Sequence, residues 1–150
     1  MFHRAIALDY GEARIGVAGS DDLGLLAHPV ETVPSYPRPE AFQRIASIAG
    51  SRRAEIIVVG LPVRADGEEG AAAEKIRKFA GKLSEFLPAG TRIVFQDEFF
   101  STKVAAEQLR ASGKRTKHHR SIIDQAAAVV ILQEYLNDRQ PPAMEGMPCD

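Results

Sequence analysis

Hydrophobic positions along the chain come first in short blocks and later at helical spacing. Arg4-Ala-Ile-Ala-Leu-Asp9 is a brief apolar run stopped by Tyr10-Gly11, and Arg14-Ile-Gly-Val-Ala-Gly19 follows within a few residues. The pair predicts two strands joined as a hairpin. Leu23 to Val33 can add a third strand, and Pro29 within it requires an edge or a bulge. From Pro39 the pattern becomes helical, with Phe42, Ile45, Ile48 and Ala49 spaced by three and four. Glu55-Ile-Ile-Val-Val-Gly60 has the consecutive β-branched residues of a strand covered on both faces. Leu61 to Gly70, with Pro62, Asp66-Gly67 and Gly70, predicts a loop. Ala72 to Leu87 predicts a helix with Ile76, Phe79, Ala80, Leu83 and Phe86 on one stripe, stopped by Pro88-Ala-Gly90.

Arg92-Ile-Val-Phe-Gln96 predicts the last strand, ended by Asp97-Glu98. Thr102 to Ala111 has a helical pattern with Gly113 as its C-cap. Ser121 opens a long helix whose apolar residues run from Ile122 to Leu136. From Asp138 onward Pro141-Pro142, Gly146 and Pro148 leave no periodicity. Residues 1–137 are therefore expected to form one domain and 138–150 a mobile tail. Early hairpins imply antiparallel pairing and the later strand–helix alternation implies right-handed parallel crossovers. Both are satisfied by an α/β fold with a mixed five-stranded sheet and helices on both faces.

Composition narrows the function without naming one. The 150 residues carry 19 Lys and Arg against 20 Asp and Glu, a net charge of −1. Any nucleic-acid or phosphate chemistry must then come from local charge. A single cysteine, Cys149, excludes an internal disulfide and a thiolate zinc cluster. The chain shows neither a membrane-length apolar run nor a secretory leader pattern, so a cytoplasmic protein without membrane contact is expected.

Acidic residues fall where the apolar blocks stop. Asp9 ends the first strand, Asp97 and Glu98 end the last, and Asp124 lies in the first turn of the last helix. If the first and last strands are neighbours, these acids share the rim beyond the strand ends, where open sheets build sites. Converging carboxylates repel, and divalent cations relieve that repulsion. Two such ions about 3.5–4 Å apart can activate water and stabilise a leaving oxygen at phosphorus. Local structure offers an alternative for each acid: Ser121-x-x-Asp124 is a capping-box pattern, Asp97 can cap a helix, and Asp9 can start a turn.

Between Arg110 and Arg120 stand Lys114, Arg115, Lys117, His118 and His119, with no acid among them. A basic island beside the proposed acids suits a polyanion whose backbone is neutralised while one phosphate is attacked. The alternative is a solvated surface loop. A proton-shuttling role for His118 or His119 is a further option, and no third partner is spaced for a zinc site.

Asp9-Tyr-Gly-Glu-Ala-Arg-Ile-Gly-Val-Ala18 resembles the opening D-x-G-x-x-R-x-G-x-A signature of the YqgF/RuvX family. Gly60-Leu-Pro62 with Asp66-Gly67 and Gly70, Asp97-Glu98 with Ser101-Thr102, and Asp124-Gln-Ala-Ala127 with Ile131-Leu132 are similar to its later motifs, in order. The resemblance implies an RNase H-like fold related to Holliday junction resolvases and a metal-dependent nuclease that processes the 5′ end of precursor 16S ribosomal RNA. It implies Asp9, Glu98 and Asp124 as catalytic carboxylates, with Asp97 the other metal-ligand candidate of the adjacent pair and Mg²⁺ or Mn²⁺ as cofactor. Glu98 is preferred because neighbouring strand residues face opposite ways. Candidate nucleic-acid contacts are Arg14, Lys114, Arg115, Lys117, His118 and Arg120. Phe99-Phe100 replace the family's usual Arg-Leu, so a positive charge beside the acids is missing; the rings can stack on a base or pack.

Structured RNA is the leading partner and branched DNA the competitor, distinguished by shape and the 2′-hydroxyl. A resolvase requires a homodimer to cut two strands in register; from the sequence, monomer and homodimer both stay open. A non-catalytic RNA-binding or transcription-associated module is the alternative of another class. An actin-type kinase also begins D-x-G, but those proteins have two such domains, more than 150 residues hold.

Overall fold

The computed structural model describes residues 4–63, 70–99 and 117–139. Five strands form one sheet: β1 (Ala5–Tyr10), β2 (Arg14–Ser20), β3 (Ala27–Pro34), β4 (Ile56–Val63) and β5 (Arg92–Phe99), in the order β3-β2-β1-β4-β5. β1, β2 and β3 pair antiparallel, while β4 is parallel to both β1 and β5. The mixed five-stranded sheet expected from the sequence is present. Pro29 lies on edge strand β3 opposite Ala18, where the register shifts between Val17 and Ala18. That placement spares a ladder interior the loss of an N–H.

Helices α1 (Arg38–Ser51) and α2 (Ala71–Ser84) cover one face, and α3 (Lys117–Arg139) covers the other. The large apolar core lies under α1 and α2, where Phe42, Ile45, Ile76, Phe79 and Leu83 pack on Ile6, Leu8, Ile15, Val17, Ile57, Val59 and Leu61. α3 packs on smaller residues, Ala5, Ala7 and Ala18, together with Ile56 and Val58. Its Gln133 side chain accepts the Ala27 backbone N–H at 2.9 Å and donates to the Leu25 carbonyl at 2.9 Å, fastening the helix to the approach of β3.

Several elements differ from the sequence expectation. Leu61, Pro62 and Val63 extend β4 rather than opening a loop, and β5 continues through Asp97 and Glu98 to Phe99. Pro62 is tolerated because the β1 ladder ends at Leu8–Val59, leaving β4 with only β5 as its neighbour there. β1 and β5 are not adjacent, since β4 runs between them. α2 ends at Ser84, and Phe86 stands in the following turn, where its ring meets Phe42 at 5.0 Å. α3 is already helical at Lys117 and extends through Asp138 to Arg139. Ser121 is thus inside the helix and cannot be its N-cap. The predicted helix Thr102–Ala111, its cap Gly113 and residues 140–150 of the expected tail lie outside the described residues.

Candidate active site

Strand alternation assigns the acids to faces. On β1, Ala5 and Ala7 pack toward α3 while Ile6 and Leu8 pack toward α1 and α2. Asp9 therefore shares the α3 face. On β5, Val94 packs toward α3 and Phe95 toward the other core, so Glu98 joins the α3 face and Asp97 does not. Burial follows the same division: Glu98 is 2% exposed, whereas Asp97 is exposed.

Two glycines allow α3 to approach. Gly16 is the register partner of Asp9, and a Cβ built on it would lie 2.0 Å from the Asp124 carbonyl oxygen. Any side chain at position 16 would push α3 away. A Cβ on Gly60 would lie 2.6 Å from Ile131 Cδ1 and 3.4 Å from the Glu98 carboxyl carbon. Gly60 follows Val59, whose β1 partner is Leu8, so it sits beside Asp9. The strand positions next to Asp9 on either side are thus glycines, one covered by the backbone at Asp124 and the other by the Ile131 side chain, with the Glu98 carboxyl group adjoining.

Asp124 is 6% exposed, and its Oδ2 accepts a hydrogen bond from Arg14 Nε at 2.9 Å. Charge assistance makes this among the stronger contacts linking α3 to the sheet. Arg14, expected at a substrate phosphate, is directed at a carboxylate, with its side chain 34% exposed. Since Ser121 is not a cap, the capping-box alternative for Asp124 is removed.

Among the described residues no group of three or more His, Cys, Asp or Glu side chains stands together as a metal site. The donor set nonetheless suits a hard divalent cation: Asp9, Glu98 and Asp124 supply only oxygen, and strand alternation puts Asp9 and Glu98 on the face that α3 covers. The backbone of Lys117, His118 and Arg120 forms the start of α3 as described, upstream of Asp124, while Lys114 and Arg115 lie outside the described residues.

Residues 3–138 match the family model described as "RuvX: Holliday junction resolvase". The chain belongs to the RuvX family. A relative from Streptomyces coelicolor, named "Putative pre-16S rRNA nuclease", is 46% identical over 138 residues, covering 91% of this chain and 81% of its own length. A protein of the same name from Syntrophus aciditrophicus is 40% identical, with 98% of this chain and 97% of the relative covered. The structure of a Fowlpox virus resolvase with substrate Holliday junction DNA superposes with a TM-score of 0.52 at 12% identity, covering 92% of this chain and 99% of that one. That likeness is one of fold, the RNase H-like sheet of resolvases.

The glycine cradle of Gly16 and Gly60 was not singled out from the sequence, although each lies in a motif quoted above. Nor was a basic and aromatic groove on the opposite face, whose sequence signal is Lys75, Lys78 and Lys82 at helical spacing.

Proposed function

We propose that this protein is a nuclease that hydrolyses phosphodiester bonds in precursor 16S ribosomal RNA, processing its 5′ end in the cytoplasm. The names of its relatives favour RNA as substrate. The observation that supports the chemistry is that strand alternation puts Asp9 and Glu98 on the face covered by α3, where the backbone at Asp124 comes down onto Gly16.

Asp9, Glu98 and Asp124 would hold Mg²⁺ or Mn²⁺. When bound, such an ion polarises water for attack at phosphorus and neutralises charge on the leaving oxygen. Glu98 and Asp124 are buried, so water competes little with them and their carboxylates are fixed before substrate arrives. Arg14 supplies positive charge beside Asp124, holding the acid in place and giving the rim a cation toward a substrate phosphate. The basic segment Lys114 to Arg120 would neutralise phosphates of the substrate.

Cleavage of precursor 16S RNA in Mg²⁺ or Mn²⁺, comparing wild type with Asp9→Asn and Asp124→Asn, tests this. Each variant is expected to lose at least ~10²-fold in rate while its circular dichroism stays native. Full activity in either would remove that residue from the site. Four-way junction DNA is the second reading, favoured by the family description and the resolvase fold. It requires a dimer that cuts two strands, which gel filtration with and without junction DNA detects.

A further inference from the structure

Opposite the carboxylates, where β1 ends, a groove of about 320 Å³ opens between the start of α1 and the side of α2. Its charge differs from that of the chain as a whole. Arg38, Lys75, Lys78 and Lys82 line it against a single acid, Glu12, whereas the whole protein is slightly acidic. Lys75 donates to Glu12 at 2.8 Å, which holds the Glu12 carboxyl below its usual range and raises the Lys75 ammonium. Lys78 and Lys82 form no ion pair among the described residues. Their spacing with Lys75, three and then four residues, puts all of them in one row along α2, about 10 Å from first to last.

Aromatic planes adjoin this row. The Arg38 guanidinium lies 4.3 Å from the Tyr36 ring centroid and 5.5 Å from that of Phe79. It also donates to the Tyr36 hydroxyl at 3.0 Å, to the Ser35 carbonyl at 3.3 Å and to the Tyr10 hydroxyl. The cation is thereby held flat before any ligand arrives. Tyr36 remains 60% exposed, so its ring is accessible to a ligand in the groove. A smaller cavity of about 120 Å³ shares Tyr10, Glu12 and Lys75 with the groove and continues to Gly11 and Pro62. Pro62 is the register partner of Glu98, and Tyr10 follows Asp9. The groove therefore leads to the rim where the carboxylates stand.

We propose that this groove binds the single-stranded RNA segment flanking the cleaved bond, with a base on Tyr36 and Arg38 and the phosphates along Lys75, Lys78 and Lys82. The assignment of RNA rests on the nuclease reading above. Exposed aromatic planes beside a cationic track are what unpaired nucleic acid uses, since every base can stack and every phosphate can be neutralised. A peptide of acidic residues would use the lysines but leave Tyr36 without a partner.

Fluorescence anisotropy of a short unstructured oligoribonucleotide, measured in EDTA so that cleavage does not contribute, tests the groove. Lys78→Ala with Lys82→Ala should weaken binding about tenfold and flatten the log–log salt slope by about 1.4, roughly 0.7 for each phosphate that the variant leaves unneutralised. Tyr36→Ala should weaken binding about tenfold, while Tyr36→Phe, which keeps the ring, should bind as wild type. Both lysines are exposed, so thermal melting of the double variant should match wild type. Unchanged affinity and slope in the lysine variant overturn the proposal, as does a polyglutamate that competes as well as RNA of equal charge. A wild type that cleaves precursor RNA without binding the oligonucleotide would sink the groove alone. Binding that persists where wild type cleaves nothing would sink the nuclease reading alone.

Discussion

The two faces of the sheet are built from different residue sizes. Toward α1 and α2 the strands present Ile6, Leu8, Ile15, Val17, Ile57, Val59 and Leu61, all nearly inaccessible. Toward α3 they present Ala5, Ala7, Gly16, Ala18 and Gly60 in addition to Ile56 and Val58. Large side chains fill volume and supply most of the transfer free energy. Small ones let the backbone of a helix come close, so that polar groups from α3 reach polar groups on the strands. One face mainly stabilises the fold; the other gives up apolar burial to let the backbone at Asp124 come down onto Gly16, the register partner of Asp9.

Substitutions on the two faces should therefore separate stability from activity. The largest change in stability is expected for Ile57→Ala, fully buried beneath α1 and α2, at about 4 kcal/mol. Denaturant unfolding would measure it, and the rate per folded molecule should stay near wild type. If cleavage fell along with stability, the division between faces would be wrong. Next is Gly16→Ala, which should cost about 3 kcal/mol because the new methyl meets the Asp124 carbonyl and backbone cannot yield cheaply. Here cleavage per folded molecule should also drop, about tenfold or more, because α3 carries Asp124 away from Arg14. A Gly16→Ala protein with normal activity would show that close approach of α3 is dispensable.

The smallest effect lies at the exposed edge of the sheet, where α1 meets β3. Arg44 makes two hydrogen bonds to Glu31, at 2.7 and 2.6 Å, and holds that carboxyl below its ordinary value. A carboxyl lowered in the folded state stabilises at pH above its unfolded value of 4.5, and that contribution disappears as pH falls through the folded value. Arg44 is half exposed, so solvent screening keeps the contribution of the pair small. Arg44→Ala should lower stability slightly at neutral pH and by nothing at a pH acid enough to protonate Glu31. Equal losses at both would assign the effect to packing.

Much of this architecture was legible from pattern alone. The first hairpin, the Pro29 irregularity and the parallel crossovers all follow from runs of β-branched residues and the punctuation between them. Pro62 and Asp97-Glu98 misled because proline and acids usually end strands, whereas here β4 and β5 outrun β1 and pair only with each other. The early start of α3 was hidden by Lys117, His118, His119 and Arg120, which present no apolar stripe. Lys75, Lys78 and Lys82 alone mark only a polar helix face, and the groove exists because folding brings Tyr36 and Arg38 beside them.

Alternation is a local property, so the residues themselves already put Asp9 with the alanines of β1 and separated Glu98 from Asp97. Chain folding decided the rest: that β4 separates β1 from β5, that Asp124 descends onto Gly16, and that Arg14 reaches a carboxylate 110 positions away. Contacts between such distant segments depend on how helix and sheet surfaces fit, which no periodicity along the chain encodes.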